Sequence, residues 1–510
     1  MPSHDSDTPI ELPPAGDDLD HILRARREKL ARIRELGIDP YPPGVEKVSS
    51  TADLLAQFDA LADAETPVAI AGRLMSIRLM GKAAFCDLQD ASGRLQVYLK
   101  KDVIGDDIWE LFSHLDIGDI VRIGGHLFIT RTGQQSLQAT SLTLLTKSLR
   151  PLPAVKEKGD QTWYGWEDRE ERYRDRSLDL ILNRDSRDTL IKRSRIVREL
   201  RLFFEGKGFV EIETPVLQPL YGGALARPFI THHNTLDRDL YLRIADELYL
   251  KRVIVGGIPR VYEIAKDFRN EGIDRMHSPE FTMLEAYAAY ADYEFAMELM
   301  EELFPRLARV TVGSEQIRWE GVDIDLTPPY RRLPMSEGIK REAGIDVLTL
   351  SRDELAVEAR NKGLPVDPSW GSGKIIDELF SAFVQPNLIQ PIFVTDHPVA
   401  LSPLAKRHRR VVDCAERFEL YIGGLELVNA FSELNDPLDQ RARFEEQARL
   451  RAAGDDEMPP IDEDFLAALE LGMPPTAGLG IGVDRLAMVL TGSTSIRDVI
   501  LFPLLRPRSY

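Results

Sequence analysis

Gly478-Leu479-Gly480-Ile481-Gly482-Val483-Asp484-Arg485 forms the last strand-like run of this chain and carries it into a helix. Glycines at alternate positions strip side chains from one face of a strand, so a ligand can approach the backbone closely. Arg485 then stands at a helix start, where its guanidinium can reach a phosphate. Tight packing alone would explain the glycines but not the arginine. Far upstream, Arg269-Asn270-Glu271-Gly272 offers a second guanidinium. Two separated arginines can hold triphosphate charge on both sides of a reacting phosphorus without a glycine-rich phosphate loop.

The surroundings of Arg269 extend that reading. Arg260 to Phe268 alternates as a strand does, Asp274-Arg275-Met276-His277 and Ser278-Pro279-Glu280-Phe281 supply turn residues, and Thr282 to Tyr287 is extended again. Such a pair of strands can place Arg269 and Glu271 on one side of a nucleotide, with Arg275 and His277 near the outer phosphates and Phe281 under the base. A purely structural hairpin is the competing reading. Between the two arginine segments lies Glu419-Leu420-Tyr421-Ile422-Gly423-Gly424-Leu425-Glu426. If Gly423-Gly424 turns the chain between two strands, Glu419 and Glu426 can both reach a magnesium ion on the triphosphate.

Other nucleotide-binding solutions are excluded. Gly371-Ser372-Gly373-Lys374 looks like the end of a phosphate loop, but Pro368 replaces the earlier glycine and Ile375 the Ser or Thr that would touch magnesium. No GxGxxG fingerprint opens a βαβ unit. Only Cys86 and Cys414 occur, without metal-ligand spacing, so neither zinc nor a disulfide framework is expected.

At 510 residues the chain is too long for one hydrophobic core. Its apolar and charged fractions, 43% and 29%, fit a globular protein. No apolar run is long enough to span a bilayer and the polar start lacks a signal-peptide core, so a cytoplasmic location is expected. The formal net charge of -19 argues against indiscriminate nucleic-acid binding and for a confined basic patch.

Residues 1–20 read as a disordered acidic tail. Residues 21–66 form a helical extension that opens with a basic amphipathic helix ending at Gly37, a solvated face or a contact to RNA backbone. Five short strand patterns within 67–149, with a helical stretch near Ile104 to Leu115, suggest an OB barrel. Residues 150–177 read as a linker, and 178–510 as a larger domain whose stretch from Leu326 to Glu416 looks mostly helical.

At this point the chain resembles the bacterial class II lysyl-tRNA synthetases, from the barrel to the C-terminus. The resemblance rests on Gly222-Gly223-Ala224-Leu225-Ala226-Arg227-Pro228-Phe229, on Thr231 to Leu236, and on Glu247-Leu248-Tyr249-Leu250-Lys251. It continues through Phe268 to Gly272, Glu280-Phe281-Thr282, Glu433-Leu434-Asn435 and Gly478 to Arg485. It implies an α+β catalytic domain, an antiparallel β-sheet flanked by helices, preceded by a five-stranded OB-fold barrel that binds the anticodon. The implied reaction joins L-lysine to ATP as lysyl-adenylate with release of pyrophosphate, then passes lysine to the 3'-terminal ribose of its transfer RNA with release of AMP.

The resemblance also implies roles. Arg269 and Arg485 are the catalytic residues. Arg269, Glu271, Arg275, His277, Phe281, Glu419 and Arg485 bind ATP. Gly223, Glu247, Arg269, Glu285, Tyr287, Asn429, Phe431 and Glu433 bind lysine: Glu285, Glu433 and the Tyr287 hydroxyl take the ε-ammonium, while Glu247 and a carbonyl near Gly223 take the α-ammonium. Glu419 and Glu426 hold magnesium, of which the family uses up to three ions with ATP. Phe85, Gln96 and Gln134 meet the anticodon, and a homodimer forms through the segment ending at Pro215. Two positions depart from the family pattern: Gln134 replaces a glutamate after Thr-Gly, and Asp246 replaces the usual proline or asparagine before Glu247. A related enzyme for aspartate or asparagine, an enzyme that lysylates a protein, and an inactive RNA-binding paralogue are the competing readings. An ammonium-selective pair of glutamates, the retained barrel and the intact arginines argue against each in turn.

Overall fold

Alternation of buried and half-exposed residues in the strand Ala83–Gln89 marks a sheet with one face in a core. In the computed structural model that core belongs to a closed barrel of Val68–Met80, Ala83–Gln89, Arg94–Lys100, Gln135–Thr146 and Ile120–Ile129, in that spatial order. The model describes residues 17–153, 155–158, 161–164, 168–368, 370–452 and 458–508. The chain divides into two compact units, Met1–Trp166 and Glu167–Tyr510.

In the first unit the expected basic helix runs over Asp17–Glu35, so it starts inside the stretch expected to be a disordered tail. Residues 1–16 of that expected tail lie outside the described residues. Two of the helix's basic side chains serve the unit itself. Arg26 donates to the carbonyl oxygens of Ile117 at 2.9 Å and of Ser148 and Arg150 at 3.1 Å, and Lys29 pairs with Asp116 at 2.6 Å. Ile33 is fully buried with the barrel's apolar residues. The segment expected as a linker carries a two-stranded pair, Val155–Lys158 with Gln161–Tyr164, and the helices Arg169–Arg174 and Arg176–Leu182.

The second unit is built on an eight-stranded sheet in the order Arg331–Pro334, Ile392–Thr395, Arg417–Ile422, Leu425–Ser432, Thr476–Gly482, Glu280–Ala289, Arg260–Phe268 and Val210–Glu211. Every pairing among the six inner strands is antiparallel, and only the two short edge strands run parallel to their neighbours. On one face the helices Arg184–Gly206, Tyr293–Val312 and Val483–Thr491 pack with the sheet to form the largest apolar core, which includes Phe204, Tyr262, Met300, Phe418, Ile481 and Leu486. Leu479 and Ile481 point into that core, so the alternating Gly478, Gly480 and Gly482 face the other way.

Gly423 and Gly424 join two strands as a two-residue hairpin with φ of 62° and 76°. Both values lie in the left-handed region that this turn needs and glycine supplies without strain. The stretch from Leu326 to Glu416 differs from expectation. It holds three helices, Met335–Ala343, Arg352–Asn361 and Ser372–Phe383, but also two strands of the main sheet. Ile392–Thr395 is buried at all four positions, and so short an apolar run carries no periodicity to distinguish it from a helix.

Candidate active site

Strand register builds the site. Gly478 lies opposite Tyr287 on one neighbouring strand and Phe431 on the other, Gly480 opposite Glu285 and Asn429, and Gly482 opposite Met283. A central strand without side chains on this face becomes the floor of a trough whose walls are the flanking strands' side chains. The trough opens into a cavity of about 390 Å³ lined by these residues together with Gly223, Glu247, Arg269, Phe281, Arg417, Glu426 and Arg485.

One end of the cavity is acidic. Glu247, Glu285 and Glu433 are all buried. Tyr287 donates its hydroxyl to Glu285 at 2.9 Å, and the Asp246 amide donates to the other Glu285 oxygen at 3.3 Å. Burial, reinforced by the charges of Asp267 and Glu247, pushes the Glu285 carboxyl up to about 8. Glu433 Oε1 lies against the trough face of Gly478, where a Cβ would stand 1.8 Å from it, and is buried with no hydrogen-bond partner among the described residues. Such an oxygen is costly unless a cation or donor meets it. The Lys251 ammonium, wholly buried, is ion-paired with both Glu247 and Glu433.

Behind Glu285 lies the departure at Asp246. Asp246, Asp267 and Glu285 each offer a carboxylate oxygen within 4.8 Å of the others, all buried. Arg243 meets Glu263 at 2.7 Å, Asp246 at 3.1 Å and Asp267 at 3.5 Å. One guanidinium cannot balance so many acids. Burial, with the charges of Asp267, Glu285 and Glu263, raises the Asp246 carboxyl to about 10, which favours its neutral form at neutral pH. The aspartate therefore adds a proton to this layer rather than a charge.

The other end is cationic. The Arg269 guanidinium lies 5.0 Å from the centre of the Phe281 ring, and its Nε is buried with no acceptor among the described residues. The Arg269 amide donates to Pro279 at 2.8 Å, which closes the base of the loop between the two strands. Arg485 and His277 meet at 3.2 Å, and Arg485 also donates to the Glu426 carbonyl at 3.2 Å. Asp274 fixes the loop by accepting from the amides of Met276 and His277 at 2.6 and 2.7 Å and by contacting the His277 ring at 2.8 Å.

Glu419 and Glu426 lie on the two strands of the Gly423-Gly424 hairpin. Burial opposes ionisation of Glu419, but His397 and Arg417 hold its carboxyl well below the usual range, and Tyr421 donates to it at 2.7 Å. Glu426 moves the other way, up to about 7, through burial and the neighbouring Glu419 charge. An ionised Glu419 beside a Glu426 whose charge it disfavours suits a hard divalent cation, which would hold both as carboxylates.

The cavity wall thus holds most of the expected residues, but not all of them. Arg275 is exposed and donates to the Thr494 carbonyl at 3.3 Å, and Glu419 and Glu433 are buried without lining the cavity. Asn429 accepts from Arg417 at 3.0 Å, and Arg417 also reaches Glu419 at 2.6 Å. Sequence reasoning passed over three residues here. Arg417 shares a strand face with Glu419, two positions away, and Lys251 stands one helical turn from Glu247. Asp484, next to the noticed Arg485, accepts from the Thr282 amide and from Arg193, each at 2.7 Å. The first two carried a spacing signal, the third none.

On the barrel, Phe85 and Tyr98 are directly opposed with ring centres 4.8 Å apart, and Phe128 lies 6.1 Å from Tyr98. Gln96 shares that face and accepts from the Ser136 hydroxyl at 3.0 Å. Gln134 is exposed in the turn before the last barrel strand, its amide held by Thr130 at 3.0 Å. Aromatic faces beside amide groups form a platform on which unpaired bases can stack.

The family model for class II tRNA synthetases (D, K and N) matches residues 168–506, and the model for the OB-fold nucleic acid binding domain matches 68–145. The lysine--tRNA ligase of Moorella thermoacetica is 54% identical over 488 residues, 96% of this chain and 98% of that protein. Its counterpart from Pelotomaculum thermopropionicum is 51% identical over 502 residues, covering 98% and 97%. The one from Enterococcus faecalis is 48% identical over 496 residues, covering 96% and 98%.

Proposed function

The chain belongs to the lysine--tRNA ligase family of class II tRNA synthetases, and from that premise we propose which of its residues perform the reaction. Glu285, Glu433 and the Tyr287 hydroxyl receive the ε-ammonium of lysine. Glu247 and the backbone near Gly223 receive the α-ammonium, and Asn429 and Phe431 complete the pocket. The observation that carries this reading is the buried, unpartnered Glu433 oxygen over the trough face of Gly478, beside two further buried glutamates. Burying a side-chain ammonium without acceptors is very costly, so such a set selects a cation over any neutral side chain of similar size.

Arg269 lines the cationic end of the cavity, over the Phe281 ring. There it can pair with the amino-acid carboxylate and the α-phosphate at once, while Glu271 and Phe281 hold the adenine and His277, Arg275 and Arg485 the outer phosphates. The lysine carboxylate oxygen attacks the α-phosphorus, the bond to the β-phosphate oxygen breaks, and pyrophosphate leaves. The terminal ribose hydroxyl of transfer RNA then attacks the acyl carbon and AMP leaves. Orientation and fixed positive charge drive both steps, and no side chain need form a covalent bond. Use of ATP and, in general, of magnesium follows from the family. Glu419 and Glu426 are the residues that would hold the ion, which when bound supplies positive charge to the phosphate oxygens.

Phe85, Gln96 and Gln134 form the anticodon contact. We place a dimer contact at the segment ending in Pro215, where Val210 and, just beyond Pro215, Val216, Leu217 and Leu220 form an exposed apolar group for a partner surface to cover. No helix among the described residues is long and apolar enough to cross a membrane. The cytoplasm, where transfer RNA is charged, is the proposed location. Lysine-dependent exchange of labelled pyrophosphate into ATP, followed by charging of total transfer RNA, tests the assignment. Exchange with lysine and not aspartate is expected, and Glu433→Gln should raise the KM for lysine but not for ATP; an unchanged lysine KM overturns the pocket.

A further inference from the structure

A buried ammonium stands beside the pocket, paired with one of its lining glutamates. Lys251 sits on the helix Glu247–Val255, one turn beyond Glu247, and is fully buried. Its Nζ is ion-paired with Glu247 on its own helix and with Glu433, which follows the strand Leu425–Ser432. The Phe431 and Phe465 rings lie 5.5 and 5.9 Å from it. Those aromatic contacts restrict where the ammonium can go. Once an arriving dication has ionised all three pocket carboxylates, the one internal ammonium leaves two negative charges to meet the two ammonium groups of lysine.

We propose that Lys251 is a positioning residue for amino-acid recognition: its ammonium cancels one of the three pocket charges and holds Glu247 and Glu433 at their stations, so that what remains matches a dibasic amino acid. This rests on the reading that Glu247 and Glu433 receive the substrate's cations. Burial would strip the proton from Lys251, but the two glutamates hold it on, while burial pushes both glutamates up and Lys251 draws them back. Glu285 and Tyr287 face Glu433 from across the glycine strand Thr476–Gly482, and Arg417 adds a weaker positive field at Glu247. Without Lys251, burial acts on the glutamates with little opposition, so they take up protons at neutral pH and lose their attraction for lysine.

The test is Lys251→Gln and Lys251→Met in lysine-dependent pyrophosphate exchange across pH, with the KM for ATP as the check that the fold is intact. At neutral pH the KM for lysine should rise about tenfold or more, the loss expected when charge-assisted hydrogen bonds in a buried site are disordered. The KM for ATP should not change, and kcat should fall less than the lysine KM rises. The ratio of variant to parent KM should shrink as pH rises toward about 9, because the glutamates regain their charge. An unchanged lysine KM, or one raised by the same factor at every pH as a packing defect would give, overturns the proposal. Should the neutral variants fail to fold, Glu247→Gln is compared with Glu247→Gln/Lys251→Gln, in which the charge pair is removed together. Only the double variant should show the pH-dependent rise, and coincident profiles overturn the proposal. If Glu433→Gln raises the lysine KM and Lys251→Gln does not, this inference alone fails; if neither does, the reading of the pocket fails with it.

Discussion

Gly478→Ala should uncouple lysine recognition from the rest of the enzyme. A Cβ at this position would lie 1.8 Å from Glu433 Oε1 and 2.6 Å from the Tyr287 ring, whereas ordinary contacts begin near 3.4 Å. The carboxylate must retreat by about 1.6 Å, and its pairing with Lys251 and the ring of Tyr287 leave it little room to do so. Displacing it forfeits a charge-assisted hydrogen bond to the substrate, about 1.5–3 kcal/mol. That is a roughly ten- to hundredfold rise in the KM for lysine. Overpacking should also lower stability by about 1–3 kcal/mol. Gly480→Ala is the internal control, because its Cβ would meet nothing closer than Met283 Sδ at 3.6 Å. That variant should unfold with the parent, and any kinetic loss must come from ligand volume rather than protein strain. Pyrophosphate exchange at varied lysine and ATP, with thermal melts of both variants, gives the answer. A Gly478→Ala enzyme with a parental lysine KM would refute the placement of Glu433.

Three further outcomes are expected. Asp246→Asn should stabilise the protein, more so as pH rises. The folded carboxyl, raised to about 10, binds a proton that the unfolded chain releases in the acid range, so its stability contribution is complete below the unfolded value and drains away through the folded one. Melts at acid and mildly alkaline pH check it, and a gain that shrinks with pH would contradict it. Lysine binding should release protons near neutral pH, because Glu285 is raised to about 8 in the empty pocket and an arriving ammonium ionises it. Calorimetry in buffers of different ionisation enthalpy reads this, and proton uptake would be the wrong sign. Phe85→Ala should leave pyrophosphate exchange intact while weakening transfer-RNA charging, stacking being worth about 1–3 kcal/mol per base. Equal losses in both assays would contradict the division of labour.

Legibility in the sequence followed the strength of local pattern. The barrel strands announce themselves because Ala83–Gln89 and Arg94–Lys100 alternate between buried and half-exposed positions. The glycine run and Gly423-Gly424 were equally plain, since few residues other than glycine satisfy those demands. The edge strand Arg331–Pro334 and its inner neighbour Ile392–Thr395 were hidden, each being four residues long with partners far away in the chain. Long-range partnership also explains Asp484, whose two ligands, Thr282 and Arg193, come from distant elements. Asp246 was visible as a departure, but its consequence was not: only the fold brings Asp267, Glu285 and Arg243 around it and turns an added charge into an added proton.

Recognition of lysine depends on where the substrate's cations sit. A crystal structure with lysine and a non-hydrolysable ATP analogue measures that directly. Glu433 and Glu285 should lie within hydrogen-bond reach of the ε-nitrogen, Glu247 of the α-nitrogen, and Arg269 between the lysine carboxylate and the α-phosphate. A complex in which those carboxylates turn away from the amino acid, or Arg269 and Arg485 stand clear of the triphosphate, would contradict it.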